Sequence, residues 1–262
     1  MDLGLTDKRA LVLAASSGLG RGIARALALE GARVAMCSRR ADVIAEAARA
    51  IAEESGSDVT GHVCDLADRA SIDAMLASVA AQFGAVDVLV NNSGGPPPGP
   101  VEEIAERTWR EWFETMLVSL IHVTNTWLPA MKRQNWGRVL TIGSSSVISP
   151  LPNMVVSTAL RASVAGWNKT LANEVAAYGI TCNLLLPGRI QTPRVDEVNA
   201  ATAQRMGVPL EVFVRDTQAK IPAGRYGQVE EFADVAAFMA STRASYLTGS
   251  LIRLDGGAIE AI

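Results

Sequence analysis

Two textures alternate along the chain. Short, almost continuously apolar runs are "RALVLA" (9–14), "RVAMCS" (33–38), "DVTGHVC" (58–64), "VDVLVN" (86–91), "GRVLTIG" (137–143), "ITCNLLL" (180–186) and "SLIRLD" (250–255). Between the early ones lie longer Ala-rich stretches, "GRGIARALALEG", "ADVIAEAARAIAEES" and "SIDAMLASVAAQFG". Their apolar residues recur at helical spacing, and they mostly end at Gly or polar residues. Runs that are apolar throughout, rather than at every second position, predict strands covered on both faces. With helices between them, such strands form a parallel sheet with right-handed crossovers. The pattern therefore predicts an α/β fold, doubly wound and Rossmann-type, with helices on both faces of the sheet. No repeat or low-complexity linker divides the chain, so 1–262 reads as a single domain.

The rhythm breaks at 193–222, "PRVDEVNAATAQRMGVPLEVFVRDTQAKIP", which is polar, weakly helical and bounded by Pro193 and Pro222. Its place just past the carboxyl end of the sixth strand suits a substrate flap, since sites in such sheets collect there.

Composition narrows the function classes. The chain is 49% hydrophobic and 5% aromatic, so Ala, Val, Leu and Ile fill the core. A net charge of −3 without a basic cluster argues against nucleic acid or an anionic membrane as partner. Cys37, Cys64 and Cys182 lie in or at the ends of apolar runs without metal-ligand spacing, as buried thiols in a reducing cytosol would. No His/Cys/Asp/Glu cluster suggests a metal. No apolar stretch approaches the ~20 residues of a membrane helix. "MDLGLTDKRALVLAAS" is charged early and is no signal peptide. A cytoplasmic protein acting on a small molecule is expected.

The strand ends suggest a nucleotide site. "LAASSGLGRGIA" (13–24) joins the first strand to the first helix. There Gly18 and Gly20 allow a tight turn, while Ser16, Ser17 and Leu19 complete a loop whose backbone faces a pyrophosphate. The second strand ends "CSRR": no acidic residue waits for a ribose, and Arg39 suits the 2′-phosphate of NADP(H) better than NAD(H). "CDL" places Asp65 and Leu66 beside an adenine. "NNSGGPPPGP" offers Asn92, Gly94 and other small residues to a flat ligand, and "LLLPGRIQTP" supplies the Pro187-Gly188 turn and Thr192, a partner for a carboxamide.

Taken together, "AASSGLGRGIA", "NNSG", "GRVLTIGS", "PGRIQT", "GRYGQVEEFADVAAFMAS" and "YLTGSLIRLDGG" match, in order and spacing, the short-chain dehydrogenase/reductase family, and within it the chain most resembles bacterial 3-oxoacyl-acyl carrier protein reductases. The resemblance covers essentially the full length. It implies a seven-stranded parallel sheet, NAD(P)(H) binding, and a homotetramer or homodimer built on the helices after strands four and five.

Five positions depart from what the resemblance implies for the site. The family's glycine motif begins Thr-Gly, where this chain has Leu13 and Ala14. Its catalytic serine corresponds to Ser144, but its tyrosine falls on Ser157, its lysine on Arg161 and its asparagine on Met116. The tyrosines elsewhere do not substitute: Tyr178 lies about 30 Å along the same helix at ~1.5 Å per residue, and Tyr226 and Tyr246 fall in other segments. Ser157 cannot replace a phenol as acid, since an alkyl hydroxyl is far less acidic and its side chain is shorter. Arg161, four residues on, shares its helix face and keeps a positive charge, so it could bond ribose hydroxyls or an oxyanion. His122, His62 and the five tryptophans read as structural or subunit-contact residues.

Three functions fit this sequence. One is an NADP(H)-linked oxidoreductase of a carbonyl or alcohol, with a non-standard site built on Ser144, Ser157 and Arg161. The second is a catalytically inactive dinucleotide-binding sensor or regulatory subunit. The third is an oligomeric interaction module without cofactor. The family favours the first.

Overall fold

The computed structural model describes residues 1–261. Its elements run β1 (Arg9–Val12), α1 (Gly18–Leu29), β2 (Arg33–Ser38), α2 (Ala41–Ser55), β3 (Val59–Val63), α3 (Arg69–Phe83) and β4 (Val88–Asn91). They continue with α4 (Glu106–Phe113), α5 (Ser119–Gln134), β5 (Gly137–Ile142), α6 (Val155–Val175), β6 (Ile180–Pro187), α7 (Pro193–Met206), α8 (Leu210–Gln218), α9 (Val229–Ala240) and β7 (Leu251–Leu254). The strands form one sheet in the order β3-β2-β1-β4-β5-β6-β7, every neighbouring pair parallel. The order reverses between β1 and β4, the switch point where such sheets open a crevice.

The continuous apolar runs follow from burial on both faces. In β1, Ala10 and Val12 join a core with Ile23 and Leu27 of α1, Ile44 of α2 and Phe232 of α9. Leu11 and Leu13 point the other way, into a core with Met75 of α3, Val123 and Trp127 of α5, and Leu171 of α6. Alternate residues thus serve opposite layers. All three cysteines are free and buried.

Two expectations need correction. The first strand does not run to residue 14 but ends at Val12, because Ala14 adopts a left-handed backbone with φ 48° and turns the chain away. The segment 193–222 is more helical than its polarity suggests. Thr192 caps α7, Pro193 starts it without losing a needed N–H, and left-handed Gly207 stops it. Few of its side chains are buried, Asn199 and Ala203 in α7 and none in α8, which is why the apolar pattern was weak.

At the sheet edge opposite the crevice, Asp87 accepts from Arg9 through Nε (2.8 Å), Nη2 (2.7 Å) and the backbone N–H (2.9 Å), and from Gln134 Nε2 (2.9 Å). Burial pushes the Asp87 carboxyl up, but Arg9 and Gln134 outweigh it and hold it below the usual carboxylate range. A lowered folded-state pKa contributes stability above the unfolded value of about 3.9, lost as pH falls through the folded value. Asp87→Asn is therefore expected to cost about 2 kcal/mol at neutral pH, with the gap to wild type closing below pH ~3. Urea midpoints at the two pH values check it. An equal gap at both would remove the ion pair as the cause.

Candidate active site

The strands' carboxyl ends share one rim, and the loop after β1 lies at its centre. Leu13 N–H donates to Val90 O (3.0 Å) and Ala15 N–H to Cys37 O (2.9 Å), so both neighbouring strands hold the turn at Ala14. Asn92 Nδ2 donates to Ala14 O at 3.2 Å, tying the loop after β4 to the loop after β1. Gly20 sits against this turn. A Cβ there would stand 2.5 Å from Ala14 O, 2.9 Å from Ala15 Cα and 2.9 Å from Asn92 Nδ2.

Gly18 opens α1 with φ 55°, and a Cβ on it would meet Thr192 Cγ2 at 3.5 Å. The glycine loop and the end of β6 therefore approach each other across the crevice. Thr192 is buried, and its Oγ1 caps α7 by accepting from Val195 N–H at 3.3 Å. Ser17, at the N-cap of α1, leaves the helix without a side-chain cap, and no acidic residue occupies the first turn. The N–H groups there remain free for an anion. Ser16 and Leu19 are half-buried beside them, Leu19 packed on the core.

Further round the rim, Arg39 is exposed and has no hydrogen-bond or ion-pair partner among the described residues. Ser38 beside it carries a buried hydroxyl with no partner in the protein. Asp65 uses Oδ1 to accept from Ala67 N–H at 3.0 Å, leaving its second oxygen free, and Leu66 is buried. Gly94 is exposed, with nothing within 4 Å of where a Cβ would be. The Pro187-Gly188 turn packs on the end of β7, where Gly188 N–H donates to Leu254 O at 2.9 Å.

Beyond these loops, β5 and α6 bring Ser144, Ser157 and Arg161 to the rim. Ser144 follows β5 and caps a short turn, Oγ accepting from Ser146 N–H at 3.1 Å, which leaves its own O–H to donate elsewhere. Two residues on, Ser146 Oγ is itself buried without a partner. On α6, Arg161 Nε donates to Ser157 Oγ at 3.3 Å and Nη1 to Ile142 O at 2.9 Å. Arg161 thus reaches from the helix to the tip of β5. Its Nη2 has no partner among the described residues, and no carboxylate pairs with it. A Cβ on Gly95 would lie 4.0 Å from that Nη2, so the loop after β4 passes close to the guanidinium. Burial lowers the guanidinium to about 10.

A second buried guanidinium sets the contrast. Arg138 donates to Ser241 O, Gly137 O and Gly179 O and stacks on Trp136 at 4.4 Å. Its bonds are internal and structural, while Arg161 keeps one face open.

Met116 is buried among Val156, Leu160, Trp109 and Trp112. It lies in a wide helical turn, Glu114–Val118, between α4 and α5. Such turns often mark functional sites, but no residue pattern announced this one. The tyrosines lie elsewhere. Tyr178 is exposed under Lys132 at 5.0 Å, Tyr246 is fully exposed, and the buried Tyr226 accepts from Asn199 Nδ2 at 3.3 Å. Asn199 in turn accepts from Arg189 Nη1 at 2.8 Å, a cluster under α7 that the sequence did not signal. His122 bonds Asp73 at 2.7 Å between α5 and α3, and His62 sits in β3 with Thr60 and Ser78. Both bond to other side chains of the fold.

Known proteins share this architecture. The chain matches the family described as enoyl-(acyl carrier protein) reductase over residues 13–258. It is 35% identical over 252 residues to a 3-oxoacyl-(acyl-carrier-protein) reductase of Escherichia coli, covering 95% of this chain and 96% of that one. To a D-beta-hydroxybutyrate dehydrogenase of Cupriavidus necator it is 32% identical over 254 residues, 97% and 98% of the two chains. Among solved structures, L-sorbose reductase from Gluconobacter frateurii, complexed with NADPH and L-sorbose, superposes with a TM-score of 0.95 at 30% identity, covering all of both chains.

Proposed function

Because the chain belongs to the short-chain dehydrogenase/reductase family, we propose that it is an NADP(H)-linked oxidoreductase whose reaction centre lacks a tyrosine acid and is built on Ser144, Ser157 and Arg161. The NADPH in the related L-sorbose reductase supports the nucleotide. The residues present fit it. The uncapped start of α1, with Ser16, Ser17, Gly18, Leu19 and Gly20, would take the pyrophosphate. Ser38 and Arg39 would take the 2′-phosphate, and Ser38's unpartnered buried hydroxyl marks a position that wants a polar ligand. Asp65 and Leu66 would border the adenine, Asn92 and Gly94 the flat ring and its ribose, and Pro187, Gly188 and Thr192 the carboxamide end.

The observation that carries the reading is the approach of Thr192 to Gly18, which closes a cradle from both halves of the sheet. Ala14 holds a left-handed turn at φ 48° despite its Cβ, which supports a loop that keeps its course beside the cradle. When bound, the nucleotide supplies or accepts a hydride. The chain's own residues hold the acceptor: Ser144 donates a hydrogen bond, and Arg161 offers a charge that Ser157 helps to aim. Helices α7 and α8 would act as a substrate flap over the opening.

Copies of the chain would pair across α4 and α6, where Phe113 is exposed beside Trp109 and Leu160, giving a homodimer or homotetramer. No helix among the described residues is long and apolar enough to cross a membrane, which fits a cytoplasmic enzyme.

Fluorescence titration with NADPH and NADH tests the proposal. NADPH should bind more tightly, and Arg39→Glu should weaken it about 10–100-fold, as the loss of a charge-assisted pair implies, with little change for NADH. Binding of neither at millimolar concentration would contradict the reading, and binding without turnover of any acceptor would point to a sensor.

A further inference from the structure

Helices α7 and α8 are docked without a share in the core. Among the described residues, no side chain of either helix joins one of the apolar clusters. The two helices pack mainly on each other. Only Asn199 and Ala203 are buried in α7, and nothing is buried in α8. Burial of apolar surface is what ordinarily seats a helix, so something else seats this pair.

Arg189, just past the end of β6, meets both helices. Its Nη1 donates to Asn199 Oδ1 at 2.8 Å, and Asn199 Nδ2 donates to the Tyr226 hydroxyl oxygen at 3.3 Å. The guanidinium lies 6.0 Å from the Phe213 ring of α8 and 5.9 Å from the Tyr226 ring. The backbone fixes it there: Gly227 N–H donates to Arg189 O at 2.9 Å, and Gln191 N–H to Gly227 O at 2.8 Å. Asparagine suits the middle of the chain, because one amide offers an acceptor to the cation and a donor to the phenol. Asn199 and Tyr226 are both buried, and no carboxylate pairs with Arg189 among the described residues.

A polar seat behaves differently from an apolar one. Apolar contact is non-directional, whereas hydrogen bonds hold one position. When such a seat opens, water replaces its bonds and little apolar surface is exposed, so opening costs far less than unfolding. The same helix begins at Thr192, about 10 Å from Asn199 at ~1.5 Å per residue. Thr192 stands across from Gly18, so the position of α7 decides whether the nucleotide cradle is closed.

Resting on the nucleotide and flap assignments above, we propose that Arg189, Asn199 and Tyr226 latch α7 and α8 as one body, and that this latch sets how long the nucleotide stays bound. Asn199 is a positioning residue: it touches no reacting atom and acts through α7 on Thr192.

The test uses the whole purified chain. Hydrogen exchange by mass spectrometry reads opening of 193–222, a melting curve reads global stability, and stopped-flow fluorescence reads NADPH release. Asn199→Leu keeps the size of the side chain and removes both bonds. It should speed exchange in 193–222 about 10–100-fold, as loss of a bond to a charged group implies, with exchange in the strands unchanged. NADPH release should quicken about 10-fold with its association rate unchanged. Arg189→Met should do the same, and the double variant should be no worse than either single one, since both break one chain of bonds. Asn199→Asp keeps the acceptor for Arg189 and should restore most of the protection. Tyr226→Phe, which removes one hydroxyl and serves if Asn199→Leu does not fold, should give a smaller effect in the same direction.

Faster exchange throughout the chain, in step with a lower melting temperature, would make the cluster an ordinary part of the fold and overturn the latch. So would exchange in wild-type 193–222 as slow as in the central strands. If the flap opens faster in Asn199→Leu while NADPH binds and leaves as before, the link to the nucleotide is overturned and the oxidoreductase reading stands. If NADPH binds to no form, that reading fails and takes the link with it. Exchange in the free protein then decides the latch alone: a rise confined to 193–222 supports it, and no rise overturns it.

Discussion

The double variant Ser157→Tyr with Arg161→Lys is expected to raise NADPH-dependent reduction of a simple ketone by about 10²–10⁴-fold, the usual contribution of a positioned general acid. The two positions lie four residues apart on α6 and already touch, Arg161 Nε to Ser157 Oγ at 3.3 Å. A phenol and an ammonium placed there would share the same helix face. The phenol needs more room than Ser157 uses, and Ser157 is buried beside Val156 and Leu160, so some overpacking of about 1–3 kcal/mol is expected. Steady-state kinetics on cyclohexanone, with a melting curve to confirm folding, check the result. A folded, NADPH-binding double variant with no gain in ketone reduction would mean that the missing phenol is not what limits ordinary chemistry here.

The second large effect is a loss. Gly20→Val should weaken NADPH binding about 10–100-fold while leaving the sheet intact. Its side chain would stand 2.5 Å from Ala14 O and 2.9 Å from both Ala15 Cα and Asn92 Nδ2. None of these yields easily. Ala14 is already in a left-handed conformation that costs a residue with a Cβ roughly 1–2 kcal/mol, and Asn92 is held to it at 3.2 Å. The start of α1 must move instead, and with it the N–H groups proposed to meet the pyrophosphate. Fluorescence titration alongside circular dichroism separates binding from folding. Unchanged affinity in the folded variant would place the nucleotide away from this loop.

The fold was readable because its cause is local and repeated. Residues such as Ala10 and Leu11 serve opposite cores, so the strands are apolar throughout, and that signature survives in the sequence. The α7–α8 segment was harder to read, since helices with few buried residues carry little periodicity. Their boundaries are set by Thr192, Pro193 and Gly207 rather than by an apolar stripe.

The site was legible in parts. The positions of Ser157 and Arg161 followed from the resemblance to the family, and the structure brings the two into contact. The capping role of Ser144, the open Nη2 of Arg161 and the hydroxyl of Ser38 left without a partner depend on rotamers and on contacts between residues far apart in the chain. No one-dimensional pattern records those. The left-handed turn at Ala14 is of the same kind: the sequence shows an alanine where relatives have glycine, and only the backbone shows that the turn is kept.

On this reading, no protein group in the crevice titrates as a proton donor during hydride transfer. The single-turnover rate of NADPH oxidation against pH, at saturating nucleotide and with the fastest acceptor found among simple aldehydes and ketones, tests this. The account predicts a flat profile from pH ~6 to ~9, because no phenol or imidazole is in reach, with a fall only as pH nears the value of about 10 to which burial lowers Arg161. A sigmoidal profile centred near neutrality would contradict it.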